Sequence, residues 1–383
     1  MLFVFRQCAR QATSAARPLT IPRASIARPT WRGAHSLRAD LPLSTKLANP
    51  PVWKHVLFCL GVSGGVLAYG AYKTETETQR IADKLSRTGL TFQPRDMRNA
   101  RRIEQLEGAE RSLRDRNAGK RDEDLSLQEK LVRGNILVPW FNTSEEDKFK
   151  WYIVAGCVAV WIAWQAPPLR SSMQRWFSHD PLRGHKVTHL SSAFSHQDLA
   201  HLAFNLIAFS SFVPVAVATM DRDEVAQHPR GFIAAGALLS SLASHLWSIR
   251  VRLPRAVRAL RSTAPTLRNA AGAQAAVERH SIGPSLGLSG VVYAVAVYPT
   301  IADLPSMFSF PMGYGVAGLC ALDIVGLIRG WRTFDHAAHL GGALFGLFWY
   351  YGGATLWTTL RNLFQRQPKY IDRADPPVNP YGK

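Results

Sequence analysis

Long apolar stretches, each near the length needed to cross a bilayer and separated by strongly basic connectors, constrain this chain more than any other feature. A hydrocarbon core takes about 20 apolar residues of helix to span. Runs that meet or approach that length lie at 52–72, 151–168, 199–219, 231–249, 286–302, 307–328 and 337–357. The expectation is an all-α, polytopic membrane protein in which one N-terminal transmembrane helix precedes a core of six. Its near-neutral mean hydropathy averages these runs with their polar connectors and so conceals them.

The segments between the runs suggest an organisation. Residues 1–50 carry Arg6, Arg10, Arg17, Arg23, Arg28, Arg32, Arg38 and Lys46 against a single acid, Asp40, interspersed with Ser, Thr, Ala and Leu. That is the composition of a mitochondrial presequence, although a basic juxtamembrane tail would share it. The helix expected over 51–72 contains Gly61, Ser63, Gly64 and Gly65, small enough to admit a close neighbour. Residues 73–148 mix acids and bases without a broad apolar face and read as a polar linker outside the bilayer. The membrane domain is expected over 149–360, with a tail over 361–383.

Charge adds topology. Helix counting places 1–51, 169–187, 250–280 and 329–333 on one face, and these are the basic, acid-poor segments, with Arg250, Arg252, Arg255, Arg258, Arg261, Arg268 and Arg279 in one of them. Arginine-rich loops stay on the side from which insertion begins, so this face is expected in the matrix, with the 73–148 linker and the C-terminus in the intermembrane space. The net charge of +19 has no zinc-finger spacing, RNP-like motif or aromatic–basic interleaving beside it, which argues against a nucleic-acid partner. Cys8, Cys59, Cys157 and Cys320 are scattered, and the last three lie in apolar runs, so neither a disulfide framework nor a metal knuckle is expected.

Polar residues inside apolar helices are costly unless paired or functional. In GPSLGLSG, 283–290, Ser289 stands between Gly287 and Gly290 where an apolar helix begins; the same letters also describe a seam of small residues between packed helices. In FDHAAHLGGALFG, 334–346, His339 lies beside Gly342 and Gly346, and could be a satisfied core histidine or, given a hydroxyl, a general base. His336, one turn earlier and next to Asp335, reads as interfacial and structural. His201 and Asn205 share a face at i, i+4, where two donors aimed at one point can stabilise an oxyanion, while His196 reads as a brace for the preceding loop. With no H-E-x-x-H and no suitably spaced carboxylate or thiolate, a metal is not expected at these histidines. Tyr293, four residues after Ser289, could stack on an imidazole from another helix. Asp323, the one acid between Met307 and Ile328, costs about 2.5–3.5 kcal/mol to insert at a helix centre, so it pairs, sits near an interface or faces a wet cavity. No acid is evidently placed as a third catalytic member, so a dyad is the economical reading and Asp323 is given no catalytic role. Helical repeats and a charged midplane site, which would favour a carrier, are not evident.

Taken in order, H-x-x-x-x-H-x-x-x-N from His196, G-P-S-L-G-L-S-G-x-x-Y from Gly283 and D-H-A-A-H-L-G-G-A-L-F-G from Asp335 resemble the rhomboid family of intramembrane serine proteases, over about residues 151–357. The wording of the last two motifs is similar to the mitochondrial, presenilin-associated rhomboid-like subgroup, as is an extra helix before a six-helix core. The resemblance implies Ser289 as nucleophile, His339 as general base and acid, His201 and Asn205 as oxyanion-hole side chains, Tyr293 as the residue stacked on the histidine and His196 as a loop histidine. It implies backbone N–H groups near Leu288 and Ser289 as further oxyanion donors, no cofactor, and single-pass inner-membrane proteins as substrates. A rhomboid-like protein that binds clients without cutting them is the alternative. The tryptophan–arginine pair of many bacterial first loops is not evident in RWFSHDP, 175–181.

Overall fold

A computed structural model describes residues 52–87, most of 99–108, residue 143, and 145–182, 185–220, 227–262, 282–301, 312–331 and 334–365. The expected presequence, most of the polar linker, the later part of the arginine-rich connector and nearly all of the C-terminal tail lie outside the described residues. Those that are described contain helices and no strand; the only bridge of β type pairs His179 with Ser285.

The helices are α1 (Val52–Ser86), α2 (Glu145–Gln165), α3 (Arg170–Trp176), α4 (Thr188–Ser191), α5 (Leu199–Met220), α6 (Gln227–Trp247), α7 (Leu253–Ser262), α8 (Ser289–Ile301), α9 (Met312–Arg329), α10 (His336–Phe348) and α11 (Ala354–Asn362). π-Helical turns at Ser248–Arg252 and Trp349–Gly353 join α6 to α7 and α10 to α11. Among the described residues, α1, α5 and the continuous run His228–Arg258 are long and apolar enough to cross a membrane unaided, whereas α2 and the helical segment after it meet at 101°. α8 is apolar and covers 13 described residues, and among the described residues length and composition alone pick out three spans, or four with the bent pair.

Apolar side chains face outward as well as inward. Trp53, Leu57 and Leu60 on α1, Phe204 and Ile207 on α5, Leu322 and Ile328 on α9, and Leu344 and Tyr351 towards the end of the chain are exposed. A soluble surface rarely carries so many large apolar groups, and a lipid-facing one needs them. Inside, Phe209, Phe232, Val291, Phe345 and Trp349 form a buried cluster in which α5, α6, α8 and α10 meet.

α1 does not stop at Tyr72. It continues for about four more turns through charged sequence to Ser86, because helical hydrogen bonding needs no apolar face once a chain leaves the bilayer and because Glu75 there has a partner. Glu75 is 6 % exposed, and its Oε2 accepts from Arg361 Nε at 3.1 Å and Nη2 at 2.9 Å. The polar stretch after the first span therefore docks against α11, and Arg361 belongs to a helix rather than to a tail.

α8 and α10 approach more closely than side chains allow. Any Cβ on Gly342 would overlap the carbonyl of Gly290, so only glycine fits there. Inserting even one methyl into such a contact forces backbone shifts costing about 1–3 kcal/mol. Gly342→Ala is expected to lower the thermal unfolding midpoint in detergent, whereas Gly315→Ala, whose Cβ would meet nothing within 4 Å, is expected to leave it unchanged.

Candidate active site

The geometry starts from two helix ends. Ser289 is the first residue of α8, and its backbone N–H is among those at a helix start that lack an intrahelical acceptor. α10 begins beside it because Asp335 caps that helix, accepting the Ala338 N–H at 3.2 Å and the Ser244 hydroxyl at 2.5 Å. The cap places His339 one turn inside α10, where its Nε2 lies 2.8 Å from Ser289 Oγ. Tyr293, one turn further along α8, stacks on that imidazole with centroids 4.5 Å apart and planes 12° from parallel.

Asp323 is paired, the first of the outcomes its insertion cost allows. Burial leaves it 4 % exposed, and its carboxylate faces the other nitrogen of His339, with Nδ1 at 3.0 Å from Oδ1 and 3.2 Å from Oδ2. The same carboxylate accepts from the Tyr293 hydroxyl and meets His336 Nδ1. The expectation that no acid stands as a third member is corrected here: carboxylate, imidazole and hydroxyl form one hydrogen-bonded chain from α9 through α10 to α8. The physical reason is the cost that flagged Asp323 in the first place, since a charge buried among apolar helices persists only where several donors meet it. His336, the first residue of α10, is 3 % exposed and sets its Nδ1 against the same carboxylate.

Protonation follows from the contacts. An ionised carboxylate only accepts, so His339 Nδ1 carries a proton toward Asp323 and Nε2 presents a lone pair to the Ser289 hydroxyl. The same three groups, Asp323, His336 and His339, bring ligand atoms within 4.8 Å of one another, close enough for a metal ion. Their contacts with one another are hydrogen bonds, however, and the remaining nitrogen of His339 is committed to a hydroxyl, a donor set suited to moving a proton.

The loop before Ser289 is braced at successive positions. Gly287 N–H donates to the Ser192 carbonyl at 2.9 Å, and Leu288 N–H donates to His196 Nε2 at 3.3 Å. His196 is fully buried, and burial first, then the nearby His201, pushes its pKa down to about 4, which keeps it a neutral acceptor. The Leu288 N–H is therefore taken, contrary to its expected place among the oxyanion donors; that of Ser289 remains suitably placed. Gly287 has φ of +124°, a conformation L side chains rarely adopt, and a Cβ there would come within 2.9 Å of the His201 ring and 3.9 Å of Ser289 Oγ. The His201 imidazole and the Ser289 hydroxyl thus both border the space where a Gly287 side chain would go. Gly290 is equally confined, with Ser240 and the Ala338 carbonyl where a side chain would go.

Asn205 is one turn beyond His201 on α5, but its Nδ2 donates to the His201 carbonyl at 2.9 Å, within its own helix. It is brought to the right face and is turned back on the backbone in this state. An amide carries a second N–H beside the one used in this bond.

Comparison with known proteins finds a domain family and mitochondrial relatives. Residues 183–355 match the Rhomboid domain family. The chain is 33 % identical over 232 residues to the presenilin-associated rhomboid-like protein, mitochondrial, of Homo sapiens, covering 57 % of this chain and 52 % of that one. It is 30 % identical over 232 residues to the Danio rerio presenilin-associated rhomboid-like protein A, mitochondrial, covering 57 % and 51 %. It is 28 % identical over 204 residues to the Saccharomyces cerevisiae Rhomboid protein 1, mitochondrial, covering half of each. The chain thus spans about half the length of the curated relatives it matches.

Proposed function

Because the chain carries a rhomboid domain over residues 183–355, we propose that it is an intramembrane serine endopeptidase of the mitochondrial inner membrane. The observation that carries this reading is the hydrogen-bonded chain from Asp323 through His339 to Ser289. His339 takes the Ser289 proton through Nε2 as Oγ attacks a scissile carbonyl. The imidazolium that forms is stabilised by the Asp323 carboxylate and held in orientation by the Tyr293 ring. The tetrahedral oxyanion is met by the Ser289 N–H together with His201 and Asn205, once the Asn205 amide leaves the His201 carbonyl. Collapse expels the amine, which takes the proton from His339, and water then repeats the sequence to release the acyl group and restore Ser289. No cofactor enters.

Substrates are proposed to be single-pass inner-membrane proteins. A helical peptide bond is shielded by its own hydrogen bonds, so a segment with small or helix-destabilising residues would open more readily onto Ser289. The mitochondrial reading is supported by the names of the relatives and by the arginine-rich, acid-poor first fifty residues. Orientation is supported by charge, since the arginine-rich, acid-poor loops favour the N-terminal face in the matrix and the C-terminal one in the intermembrane space. The start of α1 stacks on the end of α6, with His55 and His245 centroids 4.2 Å apart, while Glu75, far along α1, pairs with Arg361 on the last described helix, α11, which agrees with the two described ends of the chain lying on opposite faces.

The test is reconstitution of the full chain in liposomes with a panel of single-pass substrates whose helices contain glycine or proline. A single endoproteolytic cut is expected within or at the edge of the substrate span, insensitive to chelators that do not enter the bilayer. Intact substrates retained in stable complexes with the protein across the whole panel would favour client binding without cleavage.

A further inference from the structure

A second cluster of histidines lies apart from the active site and has no part in the proposed reaction. His55 on the first turn of α1, His179 in the connector after α3, His189 on α4 and His245 near the end of α6 are each fully buried, and all six ring pairs have centroids between 3.8 and 5.8 Å apart. His55 Nδ1 lies 2.8 Å from His189 Nε2, and His179 Nε2 lies 3.1 Å from His245 Nδ1. Each ring thus turns one nitrogen inward, and one ligand atom from each of the four falls within 4.8 Å of every other.

The outward nitrogens of two of these rings are already engaged in the manner expected of metal ligands. His179 Nδ1 lies 2.9 Å from Thr188 Oγ1, whose own hydrogen goes to the His185 carbonyl at 2.7 Å. The threonine can therefore only accept, His179 Nδ1 carries the proton, and Nε2 is left as an inward lone pair. His189 Nδ1 is likewise held by Ser241 Oγ at 2.9 Å, with its Nε2 facing in. Metal-bound histidines almost always have the second nitrogen held this way, which fixes tautomer and ring orientation. As a bare hydrogen-bond network the inward side of the cluster is sparse: four rings share two direct N···N contacts.

We propose that these four imidazoles form a structural site for a borderline transition-metal ion of the zinc type. Four nitrogens at about 2.0–2.1 Å from a tetrahedral ion put ring centroids roughly 5 Å apart, the spacing found here. An all-nitrogen set excludes calcium and magnesium, which take oxygen, and suits zinc, copper or nickel. The site would bind α1 to the domain that follows it. It would also brace the catalytic loop, because the His179 backbone pairs in both directions with Ser285 at 2.9 Å, four residues before Ser289. Local sequence motifs could not show this, since His55 and His189 are 134 residues apart.

The proposal is independent of proteolysis and is tested without it. The full chain, purified in detergent without metal-affinity tags, is expected to retain about one zinc-class ion per chain by mass spectrometry after dialysis. The chelated protein, refilled with cobalt(II), is expected to show the intense visible bands of a tetrahedral site. His55→Ala and His245→Ala should weaken cobalt binding by at least ~10-fold, and His185→Ala, nearby but outside the cluster, should not. Wild-type protein that holds no ion as purified and gives no tetrahedral cobalt spectrum would overturn the proposal whatever the variants do, as would cobalt binding that His55→Ala and His245→Ala leave unchanged.

Discussion

Ser289→Ala, His339→Ala and the double replacement should all cleave a liposome-embedded substrate at the same residual rate, on the order of 10⁴-fold or more below the wild type. The equality matters as much as the size. Ser289 Oγ and His339 Nε2 are 2.8 Å apart and share one proton, so removing either partner leaves the other nothing to do. Two groups acting separately would give losses that multiply, and the double variant would then fall well below either single one. Ser289→Ala removes a single oxygen, so its unfolding midpoint in detergent should change little compared with that of Gly342→Ala, whereas His339→Ala, which leaves a cavity and takes a donor from buried Asp323, should lower it.

Asp323→Asn should lower kcat by about 10²- to 10⁴-fold with KM little affected. The replacement has almost the same shape, and the consequence is a matter of protons. A carboxylate accepts from His339 Nδ1, whereas an amide can turn its NH2 toward that nitrogen and draw the imidazole into the other tautomer. Nε2 would then carry the hydrogen and could not take one from Ser289. The Tyr293 hydroxyl and His336 also lose an anionic acceptor, so the Tyr293 ring is held less firmly against His339. Steady-state kinetics on the reconstituted variant separate this account from a purely structural role for Asp323. In that case the unfolding midpoint would fall and the remaining folded protein would cleave at a normal kcat.

Much of this arrangement is legible in the letters, and what is not has identifiable causes. Ser289 and Tyr293 are four residues apart at the start of an apolar run, so helical periodicity alone puts them on one face, and the glycines around Ser289 advertise close approach. Asp323 was legible as an anomaly and not as a partner. Its insertion cost required a donor, but the donors come from two other helices, and no local spacing announces that His339 lies 16 residues away across a turn. The extension of α1 to Ser86 was hidden because the residues beyond Tyr72 look solvated, and the docking of Glu75 on Arg361 links positions 286 residues apart. Asn205 was placed on the correct face by its i, i+4 spacing, yet periodicity says nothing of a side-chain amide turned onto its own helix.

The most direct measurement of the central claim, that Ser289 is an activated nucleophile, needs no knowledge of the substrate. Full-length protein in liposomes is treated with an alkyl fluorophosphonate, which bonds to serine hydroxyls whose proton is being removed, and the adduct is located by peptide mass spectrometry. The account predicts one adduct per chain, on Ser289, lost in His339→Ala and formed much more slowly in Asp323→Asn. Folded wild-type protein that takes up no label, or that is labelled at Ser289 as fast in His339→Ala as in the wild type, would contradict it.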